Sequence, residues 1–211
     1  MKNIFFYKTD IGRIGIAEEN NQITNVFFQT DRVLNGDTSS KENTAPKQYS
    51  KPNEDIDLKK YTDLKEHNEL KKQSDSKAYV GSNENVALKG YYLNETDILR
   101  EASSQLCDYL LGKRQAFSLT LSPKGTTFMK KVWDNLCDIP YGKTKSYKEI
   151  AEAVGNAKAC RAVGLANNRN PIPIFIPCHR VIGANGKLTG YRGGLETKLQ
   201  LLELENQYGN I

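Results

Sequence analysis

A cysteine, a histidine and an arginine stand in succession at Cys178-His179-Arg180, near the end of an apolar run from Asn170 to Val181 that is punctuated by Pro171, Pro173 and Pro177. Taken alone, a cysteine in such a run is a small buried hydrophobe, the commoner role for the residue. Its neighbours allow other chemistry. The thiolate is the reactive form, and a nearby imidazole or guanidinium can lower a thiol pKa from about 8.5. The prolines stiffen the approach to this cluster. The cluster therefore reads as a candidate nucleophile with a base beside it. A cysteine-histidine hydrolase ranks low, because adjacent residues of an extended run point to opposite sides and no oxyanion-hole motif is recognisable.

The segment before this run supplies elements that could present it to a partner. Phe128, Val132 and Leu136 follow helical spacing until Pro140-Tyr141-Gly142. Ser146 with Glu149 makes a capping box that opens a helix with Ile150, Ala151 and Val154 inward. Gly155-Asn156 is a turn, and a second helix is expected from about Ala157 to Asn168, rich in small residues (Ala159, Ala162, Gly164, Ala166). Two short helices across a tight turn fit a helix-turn-helix, although helical hairpins in ordinary cores look similar.

Charge is placed unevenly. Residues 1–90 carry equal numbers of acidic and basic side chains, so the net charge of +5 arises further on. Between Lys143 and Arg192, nine Lys and Arg residues face only Glu149 and Glu152. Such a concentration is the footprint of a polyanion partner, whereas a solvated basic face is the plainer alternative.

The N-terminal half is read as scaffold. Apolar runs at Ile4–Tyr7, Ile14–Ala17 and Ile23–Phe28, separated by turn residues at 10–12 and 19–21, predict an antiparallel meander. A polar insertion follows at about 31–90, with Leu58, Tyr61 and Leu64 able to form only a marginal surface helix. Thr96 is expected to cap a helix bearing Ile98, Ala102, Leu106 and Leu110 and ending at Gly112, with a strand at Ala116–Leu121. The expected fold class is α+β: a small N-terminal domain (1–121) with an antiparallel sheet and helix, then a mainly helical C-terminal domain (122–211).

Composition removes several function classes. With 38% apolar and 26% charged residues the chain resembles an ordinary globular protein, and no run approaches the roughly 20 apolar residues of a membrane span. Four scattered cysteines and two histidines lack metal-ligand or disulfide spacing, so neither cofactor nor metal is expected, and a soluble cytoplasmic protein is.

The residues together resemble the O6-alkylguanine-DNA alkyltransferases, or methylated-DNA–protein-cysteine methyltransferases. The resemblance is carried by Ile176-Pro177-Cys178-His179-Arg180-Val181, Pro140-Tyr141-Gly142 with Ser146-Tyr147, Ala162-Val163-Gly164, Asn170-Pro171-Ile172-Pro173 and Gly190-Tyr191-Arg192-Gly193-Gly194-Leu195. It implies double-stranded DNA containing O6-alkylguanine as partner, a monomer, and irreversible transfer of the alkyl group to Cys178 after the damaged nucleotide is flipped, with O4-alkylthymine as a further substrate. It implies His179 as the base, acting through a water, with Glu205 behind it, Tyr147 as a donor to the base at N3, and Asn170 as the link from recognition helix to active-site run. Arg161 would intercalate, with Ala159, Ala162, Gly164 and Arg169 at the DNA, while Val181, Tyr191, Arg192 and Gly193 would line the pocket. A helix-turn-helix regulator, or a protein that binds alkylated DNA without transfer, is the alternative; the presence of Cys178 argues against it.

Overall fold

The computed structural model describes residues 1–28 and 90–209. The expected insertion and its marginal helix lie outside the described residues, apart from Gly90 at the edge of that span.

Three strands open the chain: β1 (Lys2–Thr9), β2 (Gly12–Glu19) and β3 (Gln22–Phe28), paired antiparallel as the meander predicts. The β2–β3 turn places Asn20 and Asn21 at φ 55° and 59°, the left-handed pair that a two-residue hairpin of matching twist requires and that asparagine tolerates. A fourth short strand, β4 (Tyr92–Leu93), pairs parallel to β1, so the sheet runs β3-β2-β1-β4 and is mixed, not purely antiparallel.

Helix α1 (Asp97–Leu110) covers one face of the sheet. Its buried stripe is Leu99, Ala102, Gln105, Leu106 and Tyr109, rotated slightly from the expected one, so that Ile98 and Leu110 flank the core. Thr96 stands at the N-cap with extended backbone, but its side chain makes no capping hydrogen bond. The expected strand at Ala116–Leu121 does not form. Its amides find other partners: Ser118 N donates to the Gln105 side chain at 2.9 Å, and only Leu121 bridges to Ile23. A side chain thus satisfies backbone groups that a ladder would otherwise use.

The second half packs α2 (Thr127–Cys137), α3 (Tyr147–Ala153), α4 (Cys160–Asn168) and α5 (Leu195–Tyr208) around a two-stranded parallel pair, β5 (Lys145–Ser146) and β6 (Val181–Ile182). Thr126 caps α2, and the Ser146–Glu149 capping box is present with both of its hydrogen bonds. Helix α4 starts at Cys160, later than expected, because the Asn156 side chain and carbonyl capture the amides of Lys158 and Ala159 at 3.1 and 2.9 Å and hold a turn there. Trp133 ties α2 to α4 by donating its indole N–H to Ala166 O at 2.9 Å.

One hydrophobic cluster runs across the 121/122 boundary, joining Ile14, Ile16, Leu99 and Tyr109 to Trp133, Val163, Ile174 and Val181. The architecture is α+β. No described helix is long and apolar enough to cross a membrane.

Candidate active site

The run after α4 is not simply extended. Asn170 closes it into a loop: its side chain donates to Ile176 O at 2.9 Å and accepts from Ile172 N at 3.0 Å, while Ile176 N reaches Ile172 O at 2.9 Å. Ile174, buried in this loop, sits at φ 77°, a left-handed conformation that is strained for a β-branched residue. The loop delivers Cys178–Arg180 as a single 3-10 turn, closed by Arg180 N donating to Pro177 O. All three side chains are buried.

Two of them converge on Glu205, one turn from the end of α5. Glu205 is fully buried, although its place on a helix between polar residues would have suggested an exposed charge. The Arg180 guanidinium grips it through Nε (3.1 Å to Oε1, 2.9 Å to Oε2) and Nη2 (2.8 Å to Oε1), and Nη1 donates to Ile139 O at 2.6 Å. His179 Nε2 lies 2.9 Å from Oε1, the Tyr109 hydroxyl donates to Oε1 at 2.6 Å, and Gly142 N donates to Oε2 at 3.1 Å. Burial pushes this carboxyl upward, but His179 and Arg180 outweigh it and lower it to about 2. Glu205 is therefore an anion, so the proton between it and His179 belongs to Nε2. The other ring nitrogen, Nδ1, keeps its lone pair and has no partner among the described residues. Burial holds the imidazole below its ordinary pKa, opposed by Glu205 and assisted by Arg180 and Lys198.

The thiol departs from expectation. Burial pushes Cys178 above the ordinary cysteine range, and the Asn170 hydrogen bond with the charges of Lys198 and Arg192 only moderates it. At rest the sulfur is a thiol, because the low-dielectric surroundings penalise the thiolate more than the nearby cations favour it. Any reaction needs a base to take its proton.

Of the residues expected at the pocket, Tyr147, Tyr191 and Arg192 lie within electrostatic reach of the thiol. Tyr147, first in α3, is half-buried with its hydroxyl 2.8 Å from Thr189 Oγ1; burial raises its pKa, and the hydrogen bond to Thr189 moderates the rise. Tyr191 is buried, edge-on to the His179 ring at 6.4 Å and to Phe28 at 5.7 Å. Gly193 lies so close to Phe28 that a Cβ there would meet ring carbons at 2.9 to 3.0 Å, and the Arg192 guanidinium stands 5.9 Å from the Phe27 ring. The end of β3 thus backs the Gly190–Gly194 loop. Val181 is buried, and its carbonyl accepts from Lys198 Nζ at 2.6 Å.

The residues assigned to DNA lie elsewhere, on and beside α4. Arg161, Ala162 and Arg169 are exposed, together with Leu165 at 49%; Ala159 and Gly164 are half-buried, the latter beside the Tyr147 ring. Among the described residues no ion pair holds Arg161.

Three residues were missed. Lys198 is buried and clamps Val181 O and Thr189 O, at 2.6 and 3.1 Å, with burial lowering its pKa to about 8. Its position on the apolar stripe between Leu195 and Leu202 was the available signal. Thr189 and Tyr109 gave none, since a loop threonine and a core tyrosine look alike wherever they occur.

The 6-O-methylguanine DNA methyltransferase, DNA binding domain, matches residues 127–207. A methylated-DNA–protein-cysteine methyltransferase of Methanosarcina barkeri is 52% identical over 127 residues, 60% of this chain and 80% of that protein. The chain belongs to the methylated-DNA–protein-cysteine methyltransferase family. The constitutive methylated-DNA–protein-cysteine methyltransferase of Bacillus subtilis is 58% identical over 112 residues, covering 53% of this chain and 68% of its own. A crystal structure of Mycobacterium tuberculosis OGT in complex with DNA is 32% identical and superposes with a TM-score of 0.66, over 98% of this chain and 94% of that one. This methyltransferase family membership thus extends over both halves of the fold, the mixed sheet included.

Proposed function

We propose that this methyltransferase repairs duplex DNA by moving the alkyl group of O6-alkylguanine, and of O4-alkylthymine, onto Cys178 in a single irreversible turnover. The observation that carries the reading is the arrangement of His179, tied through Nε2 to the Glu205 anion so that Nδ1 is a basic lone pair one residue from a buried thiol. The thiol proton passes through a water to Nδ1, and Sγ attacks the alkyl carbon in line with the departing oxygen. The S–C bond forms as the C–O6 bond breaks, and the electron pair goes to the base. Tyr147 donates its hydroxyl to guanine N3 and so offsets the charge on the leaving group, while Asn170 fixes the loop that presents Cys178.

A buried sulfur cannot meet a base inside a duplex, which requires rotation of the nucleotide out of the stack. Arg161, exposed on α4, fills the gap, and Ala159, Ala162, Gly164 and Arg169 bring that helix close to the backbone in the minor groove. Val181, Tyr191, Arg192 and Gly193 line the pocket for the flipped base. In this reading residues 122–211 bind DNA and accept the alkyl group, residues 1–121 are scaffold, and the protein acts as a cytoplasmic monomer.

Duplex DNA carrying O6-[3H-methyl]guanine tests the reading. Label should appear on the protein at one methyl per chain and be lost in Cys178→Ser; label that persists in the variant overturns Cys178 as the acceptor, and label that never reaches the wild type overturns the reading in favour of a binding protein. Arg161→Ala should weaken transfer from duplexes more than transfer from free O6-benzylguanine, and equal losses would remove the intercalation step.

A further inference from the structure

We propose that Tyr109, from the N-terminal half of the chain, is a positioning residue for transfer: it sets the basicity of His179 by sharing the carboxylate on which His179 leans. The proposal rests on the reading above for the role of His179. Tyr109 is buried in α1, 96 residues from Glu205 in sequence, yet its hydroxyl donates to Glu205 Oε1 at 2.6 Å, the shortest of the hydrogen bonds that oxygen accepts. The same hydroxyl oxygen lies 3.3 Å from His179 Nε2. Three side chains therefore meet at one carboxylate oxygen: Tyr109, His179 and Arg180.

The consequence follows from how a carboxylate divides its charge among donors. Each donor that Oε1 accepts reduces the negative charge available to the next, so the Tyr109 and Arg180 bonds weaken the pull of Glu205 on the His179 proton and disfavour the imidazolium. An imidazolium has no lone pair at Nδ1 and cannot take a thiol proton, so a neutral His179 at working pH is a requirement of the mechanism. The weak 3.3 Å contact to Nε2 acts in the opposite direction, but a 2.6 Å bond to an anion outweighs it.

The other ionisable groups around this site are accounted for. Arg180 and Lys198 disfavour the imidazolium, whereas Tyr191, Tyr141 and Cys178 are pushed upward and stay neutral. Tyr109 is itself held well above the ordinary tyrosine range, chiefly by burial and then by Glu205, so it remains a donor. Its ring packs on Phe117 at 5.2 Å and Tyr141 at 5.9 Å, contacts that phenylalanine would keep.

The test uses histidine-selective 15N labelling of the 211-residue chain, whose two histidines are distinguished with His67→Gln. In Tyr109→Phe the His179 pKa should rise by about half a unit to one unit, and the acid limb of the transfer rate from labelled duplex should move up with it. Site-specific 3-fluorotyrosine at position 109, a stronger donor, should move both downward. Opposite shifts in the two proteins support the proposal; coincident titrations in folded wild-type, Tyr109→Phe and fluorotyrosine protein overturn it. If Tyr109→Phe does not fold, the fluorotyrosine protein decides, a downward shift supporting the proposal and no shift overturning it. The His179 titration is read without DNA, so absence of label transfer in the wild type would remove the proposed function while leaving the Tyr109 result interpretable.

Discussion

Replacing Arg180 with methionine should cost this protein a large part of its stability, by an amount the structure allows to be worked out in two ways. The substitution keeps an apolar stem of similar length and deletes three hydrogen bonds to Glu205 and one to Ile139 O. Glu205 has no exposed surface, and Arg180 has 6%. Breaking such a buried pair from one side leaves the other charge uncompensated and costs about 3–5 kcal/mol. The carboxyl pKa gives the second figure. It is lowered to about 2, by His179 first and then by Arg180, against about 4.3 in an unfolded chain, so the two partners together supply about 3 kcal/mol at neutral pH and the share of Arg180 in that term lies below this. That contribution is present above the unfolded pKa and is lost as pH falls through the folded one. In Arg180→Met only His179 is left to oppose burial, so the carboxyl pKa rises and the variant escapes part of its penalty by protonating Glu205 as the pH drops. Urea unfolding followed by the fluorescence of Trp133, the only tryptophan and a buried one, should therefore show a gap of about 3–5 kcal/mol at pH 7 that narrows towards pH 4. Adding Glu205→Gln removes the stranded charge and should recover at least about 1 kcal/mol of the loss. A gap under about 1 kcal/mol at pH 7, or one that is the same at both pH values, would refute the assignment of this pair as a buried, charge-dependent support.

Other outcomes follow from the same geometry. Gly193→Ala should displace the pocket loop from Phe28, lowering stability by about 1–3 kcal/mol and slowing alkyl transfer by more than binding to undamaged duplex. Gly164→Ala has room, with Tyr147 ring carbons at 3.8 to 3.9 Å from the new Cβ; it should leave stability equal or raise it by up to about 1 kcal/mol while weakening duplex binding measured by fluorescence anisotropy. His179 is held below its ordinary pKa, so its cation is disfavoured in the folded state. Stability should therefore fall as pH drops below about 6.5, and a urea midpoint that declines from pH 7.5 to 5.5 in the wild type should decline less in His179→Gln.

Much of the site was legible because its parts are local. The capping box at Ser146 and the asparagine hairpin at Asn20-Asn21 depend on residues close in sequence and formed where expected, whereas the Cys178-His179-Arg180 cluster, expected in an extended run, is a 3-10 turn. What was hidden depends on partners far away. Strand β4 is two residues long and exists by pairing with β1, so no periodicity announces it. Ala116–Leu121 has strand composition, yet Gln105 takes the hydrogen bonds of Ser118, and Thr120 and Leu121 meet Ile23 only in an isolated bridge. The thiol pKa was misjudged because the adjacent His179 and Arg180 suggested a cationic setting, whereas both are committed to Glu205 and burial dominates. Tyr109 and Lys198 acquire meaning only once α1 and α5 are docked.

The parallel pairing of β4 with β1 constrains what could be cut from this chain. β3 runs in the same direction as β1 and β4, so β3 ends at one end of the sheet and β4 begins at the other, three strand spacings across. At about 4.8 Å per spacing and a strand length of about 3.3 Å per residue, such a return needs a dozen or more residues. Residues 29–89 far exceed that number. Deletions within them should be silent for Cys178 chemistry until fewer than about a dozen residues remain. Past that length β4 would detach from β1, and the loss would begin at the sheet edge farthest in sequence and space from β3, whose Phe28 supports the pocket loop. Length, not composition, is what the sheet demands of this segment.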